Sequence, residues 1–217
     1  MSRVRRPLPH PLAIGLRLAT VPVLVMTVLL AGCTASVPRN IDNCCSIFKE
    51  RRSWYRDSRK AEKRWGVPVH VQLAIIHQES RFVAKARPPR TKFLWIFPGP
   101  RPSNSYGYTQ ALTETWENYM RDTGNRGADR DEFGDSVDFV GWYAARSARV
   151  NRLSKWDAYN LYLAYHEGDG GYRRGTYRNK TWLIRVAGKV RDRAGRYSAQ
   201  LAGCKEDLEP RWWQFWL

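Results

Sequence analysis

The chain is short of the residues that build metal centres, repeats and membrane spans. His70 and His77 stand in no cluster of His, Cys, Asp or Glu at ligand spacing, which argues against a metal site, and no cofactor is expected. No internal repeat or low-complexity tract runs through the 217 residues, so a solenoid or fibrous array is excluded. Acidic residues are scarce: 20 Asp and Glu stand against 37 Lys and Arg, a net charge of +17. Cysteine is limited to Cys33, Cys44, Cys45 and Cys204. The one long apolar run, Leu18 to Gly32, is too short for a spanning helix.

That run has a different meaning. Arg3, Arg5 and Arg6 precede it, and Leu29-Leu30-Ala31-Gly32-Cys33 ends it. A basic head, a short apolar stretch and small residues before a cut describe a bacterial secretory signal. Cys directly after Ala-Gly marks the expected site of lipid attachment. The sequence therefore divides into a lipoprotein signal peptide (1–32), a lipidated tether (33–42), a folded domain (43–204) and a Trp-rich tail (205–217). Thr34, which is not Asp, is similar to sorting signals for the outer membrane, facing the periplasm. Loss of residues 1–32 removes four arginines and no acid, so the net charge drops from +17 to +13. In the cytoplasm such an excess would suggest nucleic acid. In the envelope it suits phospholipid headgroups, lipopolysaccharide and peptidoglycan carboxylates, and no nucleic-acid partner is expected.

The domain should be mainly α-helical with a core of its own. Charged helical patterning covers Ser46 to Trp65 and stops at Gly66. Pro68 suits the first turn of a helix running to about Phe82. Pro88, Pro89, Pro98, Pro100 and Pro102 exclude a helix from Ala86 to Asn104, where Phe93 to Phe97 suits a short strand in a hairpin or tongue. Helices are expected near Ala111–Arg121, from Val137 to about Val150 behind an Asp135 or Ser136 cap, from a Ser154–Asp157 capping box to Gly168, and over Trp182–Ala202. With Cys33 acylated, a disulfide from Cys44 or Cys45 to Cys204 would join the two ends of the domain.

Glu79 is the first candidate for chemistry. Val71, Ile75, Glu79 and Phe82 share a helix face, so a carboxyl stands in an apolar stripe near a helix C-terminus. Desolvation and the negative helix end both raise its pKa, as a general acid requires. Ser105-Tyr106-Gly107-Tyr108-Thr109-Gln110 ends in an amide able to bond a sugar. Ala164-Tyr165-His166-Glu167-Gly168 places a phenol beside a Gly-rich turn.

Glu79-Ser80-Arg81-Phe82, Gly107-Tyr108-Thr109-Gln110 and Ala164-Tyr165-His166-Glu167-Gly168 resemble, in order, three motifs of the lytic transglycosylase SLT domain, and the similarity looks closest to its lipoprotein branch. The resemblance spans about residues 60–190. It implies a lysozyme-like (SLT or goose-type lysozyme-like) single domain with a small irregular or β insertion. It also implies Glu79 as catalytic acid/base, Tyr165 as a catalytic-site residue oriented towards Glu79, and Gln110, Ser105 and Tyr108 as substrate contacts. The implied reaction cleaves the β-1,4 bond between N-acetylmuramic acid and N-acetylglucosamine without water, leaving 1,6-anhydromuramic acid ends. Partners would be peptidoglycan strands and, through Cys33, a membrane, with the protein a monomer. Tyr108-Thr109 and His166-Glu167 depart from the usual Leu-Met and Asn-Ala. As a second carboxylate, Glu167 opens a muramidase-like or chitosan hydrolase alternative, and a glycan-binding lipoprotein without turnover is the non-enzymatic one. The Trp212-Trp213 tail fits either a membrane interface or packing on the domain.

Overall fold

A computed structural model describes residues 36–93 and 97–209. The signal peptide, Cys33, Thr34, the hairpin residues Leu94 to Ile96 and the tail Arg211–Leu217 lie outside these. The elements are α1 (Cys44–Glu50), α2 (Arg52–Trp65), α3 (Val69–Ser80), β1 (Lys92–Phe93), β2 (Phe97–Pro98), α4 (Thr113–Thr123), α5 (Phe133–Asn151), α6 (Ala158–Arg174), a 3₁₀ turn (Thr176–Asn179) and α7 (Thr181–Leu208). No helix among the described residues is long and apolar enough to cross a membrane, and none of their His, Cys, Asp and Glu groups could hold a metal.

Helix α3 is the axle of the fold. It packs against α2, α5, α6 and α7, and nine of its twelve residues are buried. The expected single apolar stripe is thus replaced by burial on all sides, as a helix enclosed by four neighbours requires. Pro68 serves as its N-cap (φ −62°, ψ 145°) instead of lying in the first turn. The helix stops at Ser80, two residues before Phe82, because Arg81 (φ 52°) and Phe82 (φ 63°) both turn left-handed.

Other boundaries moved for local reasons. The Ser46–Trp65 stretch forms two helices, broken at Arg51 (φ −127°, ψ 72°), whose guanidinium donates to the Ser36 carbonyl at 3.0 Å. Helix α5 starts at Phe133, four residues early. Its cap is Glu132, whose carboxylate accepts from the Gly134 N–H. Asp135 is spent on the preceding loop, accepting from the Asp129 N–H at 2.9 Å and from Asn125 at 3.0 Å. Asp157 alone caps α6, accepting from the Asn160 N–H, while Ser154 accepts from the Trp156 N–H. In the proline-rich segment β1 and β2 pair antiparallel, Lys92 with Pro98 and Phe93 with Phe97, so two short strands stand where one was expected.

Cys45 bridges Cys204 across 159 residues of sequence, fastening α1 to the end of α7. Closing so long a loop stabilises the fold by about 5 kcal/mol on the chain-entropy view. Cys44 is the leftover thiol. It is buried, and donates to the Tyr197 carbonyl at 3.2 Å.

Candidate active site

A cleft of about 610 Å³ opens where the end of α3, the loop before α4 and the middle of α6 converge. Its size suits a ligand of several rings. Glu79, Ser105, Gln110 and Tyr165 all line it, so three separated stretches of sequence meet here. Tyr108 does not. Its ring is 1% exposed and packs edge-on against Trp54 and Phe133 at 5.7 and 5.6 Å. The expected sugar contact is corrected to an anchor, because the residue after Gly107 points into the protein.

Two aromatic residues of the site motifs share that anchor. Trp54 stacks on Phe133 at 4.0 Å and on Phe82 at 5.8 Å. The segment following Glu79 and the segment preceding α4 are thereby pinned to α2 and α5 through one cluster, worth about 1 kcal/mol per ring pair beyond burial. Gly107 (φ 79°) lets the second loop come close. The Tyr108 N–H donates to the Arg130 carbonyl at 3.1 Å, and a Cβ on Gly107 would stand 2.0 Å from that oxygen.

Burial raises the Glu79 carboxyl, and a hydrogen bond from Tyr162 lowers it; the balance leaves it pushed up to about 7. No cation contributes. Its place as the penultimate residue of α3 adds the negative helix end to the same side of the balance. Tyr165 lines the same cleft as Glu79. Its hydroxyl donates to the Thr109 carbonyl at 2.8 Å, tying α6 to the Gly107–Gln110 loop. The phenol that lowers the Glu79 pKa is Tyr162, one helical turn earlier.

Gln110 (φ 50°) directs both amide hydrogens inward, to the carbonyls of Ala86 at 3.0 Å and Gly107 at 2.9 Å. Its Oε1 accepts from Ser105 at 3.2 Å, and the Ser105 hydroxyl accepts from Ser103 at 3.1 Å. Gln110 therefore shapes the cleft wall with its donors already used, and Ser103 and Ser105 line the cleft beside it. Among the described residues, Arg81, Phe82 and Gln110 account for three of the four non-glycine residues at positive φ. Each such conformation costs about 1 kcal/mol or more; of the three, Gln110 lines the cleft, while Arg81 and Phe82 turn the chain just after Glu79.

Glu167 reaches the cleft rim, yet its side chain is 3% exposed and bound by Lys180 Nζ at 2.7 and 3.0 Å. Thr176 and His166 also donate to it. Burial pushes its pKa up, but the hydrogen bonds from Lys180, Thr176 and His166 outweigh that and bring it to about 2. Its partner is Lys180, not the neighbouring Arg173 or Arg174. Gly168 follows at φ 71°, ψ 160°, a region open only to glycine, so α6 kinks there and continues to Arg174 instead of ending.

Phe139 and Tyr143 complete the cleft wall, with Tyr143 packing edge-on to Tyr165 at 5.0 Å. Sequence reasoning passed over both, along with Tyr162. Helical spacing was the available signal: Phe139 and Tyr143 are i, i+4, and Tyr162 is i−3 from Tyr165.

Searches of curated proteins and of solved structures found no match. A family model described as Transglycosylase SLT domain matches residues 21–204. The mainly helical architecture is that of the lysozyme-like SLT domain. Three motifs lining one cleft and a match over most of the length lead to one assignment: the chain belongs to the transglycosylase SLT domain family.

Proposed function

We propose that the protein is a peptidoglycan lytic transglycosylase with Glu79 as its single acid/base. One observation carries this reading: of the two carboxyl groups at the cleft, only Glu79 has a pKa near neutrality. Near pH 7 a large fraction of it is protonated and able to donate to the leaving glycosidic oxygen. The substrate's own N-acetyl oxygen stabilises the anomeric carbon. Once ionised, Glu79 takes the proton of the muramic acid C6 hydroxyl, which attacks C1 and closes the 1,6-anhydro ring. Tyr162 favours the ionised form between these steps, since its hydrogen bond lowers the Glu79 pKa. Most glycosidases need two carboxylates, and substrate-assisted ones are the exception. An intramolecular hydroxyl gains an effective molarity of roughly 10⁵–10⁸ M when well oriented, which replaces the base-activated water. Tyr165 positions the Thr109 loop over this centre.

The basic head, apolar run and Ala-Gly-Cys box support acylation at Cys33 and a place in the envelope, and Thr34 supports the outer membrane, facing the periplasm. The test is a digest of purified sacculi by residues 34–217, read by mass spectrometry beside Glu79→Gln. Muropeptides ending in 1,6-anhydromuramic acid, absent with the variant, are the expected result. Reducing ends would identify a muramidase and give Glu167 the second role. Strand binding without products from either protein would identify a glycan-binding lipoprotein.

A further inference from the structure

His77 stands two residues before Glu79, which places it on the opposite side of α3. There it forms the floor of a groove of about 360 Å³ between α3 and α7. Arg81 edges the groove from the end of α3, and Lys189, Arg193 and Arg196 from α7. The α7 cations recur at steps of three and four, so like charges face one another along a single helix side, an arrangement that is destabilising until an anion joins it. Two carboxylates are near. Asp42 is bound to Arg193, and Asp192 to Arg191. Among the described residues no carboxylate pairs with Arg81, Lys189 or Arg196. His77 is 3% exposed and its Nε2 has no hydrogen-bond partner, Asp42 lying 3.7 Å away.

The neighbouring surface says what covers this groove. Arg81 also edges a second hollow, formed with Val37 to Asp42 and Val83. Val37 and Val83 are 40% and 41% exposed there, apolar side chains beside unpaired cations. Ser36, where the described chain begins, follows Cys33 by three positions, a reach of about 10 Å in extended chain. The groove therefore sits at the root of the tether.

We propose that this groove docks the phosphate headgroups of an anionic phospholipid bilayer, seating the domain on the membrane with the Glu79 cleft turned away from it, towards the glycan. The orientation rests on the reading of Cys33 as the lipid anchor; headgroup binding does not. Burial and the fields of Arg193, Arg81 and Arg196 hold the His77 imidazole down at about 4, against the opposing pull of Asp42. A phosphate among those arginines offsets their field at the ring while its burial remains.

The test uses residues 34–217 without lipid, which contain the compact unit Ala35–Leu217. Co-sedimentation is measured with phosphatidylcholine vesicles, with and without phosphatidylglycerol, beside the His77 ring resonances. Binding that needs phosphatidylglycerol, moves those resonances, and weakens about 30-fold in Lys189→Gln/Arg196→Gln is expected, at roughly fivefold per surface charge. The control Arg126→Gln/Arg149→Gln removes two exposed cations elsewhere, and equal weakening there would overturn the site in favour of diffuse attraction. Saturation of the groove by millimolar inorganic phosphate, with no preference for phosphatidylglycerol, would overturn the headgroup assignment. So would loss of sacculus binding in the double variant with vesicle binding intact. Membrane retention of a Cys33→Ser protein tests the anchor separately, so the two readings fail independently.

Discussion

Glu79 and Glu167 line one cleft, and their surroundings treat them in opposite ways. Glu79 has burial, a helix C-terminus and one phenol; Glu167 has burial and three donors, one of them an ammonium. The same side chain is thus moved up to about 7 in one place and down to about 2 in the other. Burial alone does not decide the protonation state of a carboxyl; the presence of a cation bonded to it does. The ionised Glu167 is a poor base at neutral pH and a good fastener between α6 and the segment leading into α7.

The largest expected effect tests the Glu79 side. Glu79→Gln should lower kcat by roughly 10³-fold, within the usual range for removing a general acid. It should also stabilise the fold at pH 8. The folded-state pKa lies above the unfolded value of about 4.5, so the folded form binds the proton more tightly. The stability Glu79 contributes is therefore fully present below pH 4.5 and is lost as pH rises through about 7, by about 3 kcal/mol in total. Denaturant melts of both proteins at pH 4 and pH 8 should show the gap opening only at the higher pH.

Next comes the cation. Lys180→Met leaves Glu167 buried without its charge partner and should cost about 2 kcal/mol, read from the denaturation midpoint. With Lys180 in place, the folded-state pKa of Glu167 is below the unfolded one, so its stabilisation is present above about pH 4.5 and is lost as pH falls towards 2. In the variant that acid-side loss should shrink. A smaller effect is expected from Tyr162→Phe. Losing this hydrogen bond raises the Glu79 pKa, so the fall of activity above pH 7 should move about one unit higher. The smallest change tests the other carboxyl directly: Glu167→Gln should alter kcat by less than about tenfold, with anhydro ends still the product. Loss of activity from this variant with an unchanged melt would break the contrast between the two carboxyls.

Much of this was legible in the sequence, and the exceptions have physical causes. Glu79 could be placed because a carboxyl amid Val71, Ile75 and Phe82 is anomalous whichever face it occupies. The burial of α3 on every side could not be read, since it depends on four helices distant in sequence. Tyr108 was misplaced because a phenol is equally at home against a sugar or in a core. What decides is the left turn at Gly107 and the nearness of Arg130, both tertiary. Proximity in sequence alone would pair Glu167 with Arg173 or Arg174. The glycine-only kink at Gly168 redirects the chain, and Lys180, thirteen residues on, arrives instead. Helix starts erred where a loop claimed the capping side chain, as with Asp135.

The disulfide between Cys45 and Cys204 has a mechanical consequence. Every residue named in the cleft, from Glu79 to Lys180, lies inside the covalent ring that it closes. A pull applied between Ser36 and Glu209 travels along nine residues, crosses two sulfur atoms and leaves through five more. The segments that align Glu79 with its substrate carry none of that tension. The domain can therefore be tugged at its ends while its cleft stays in register.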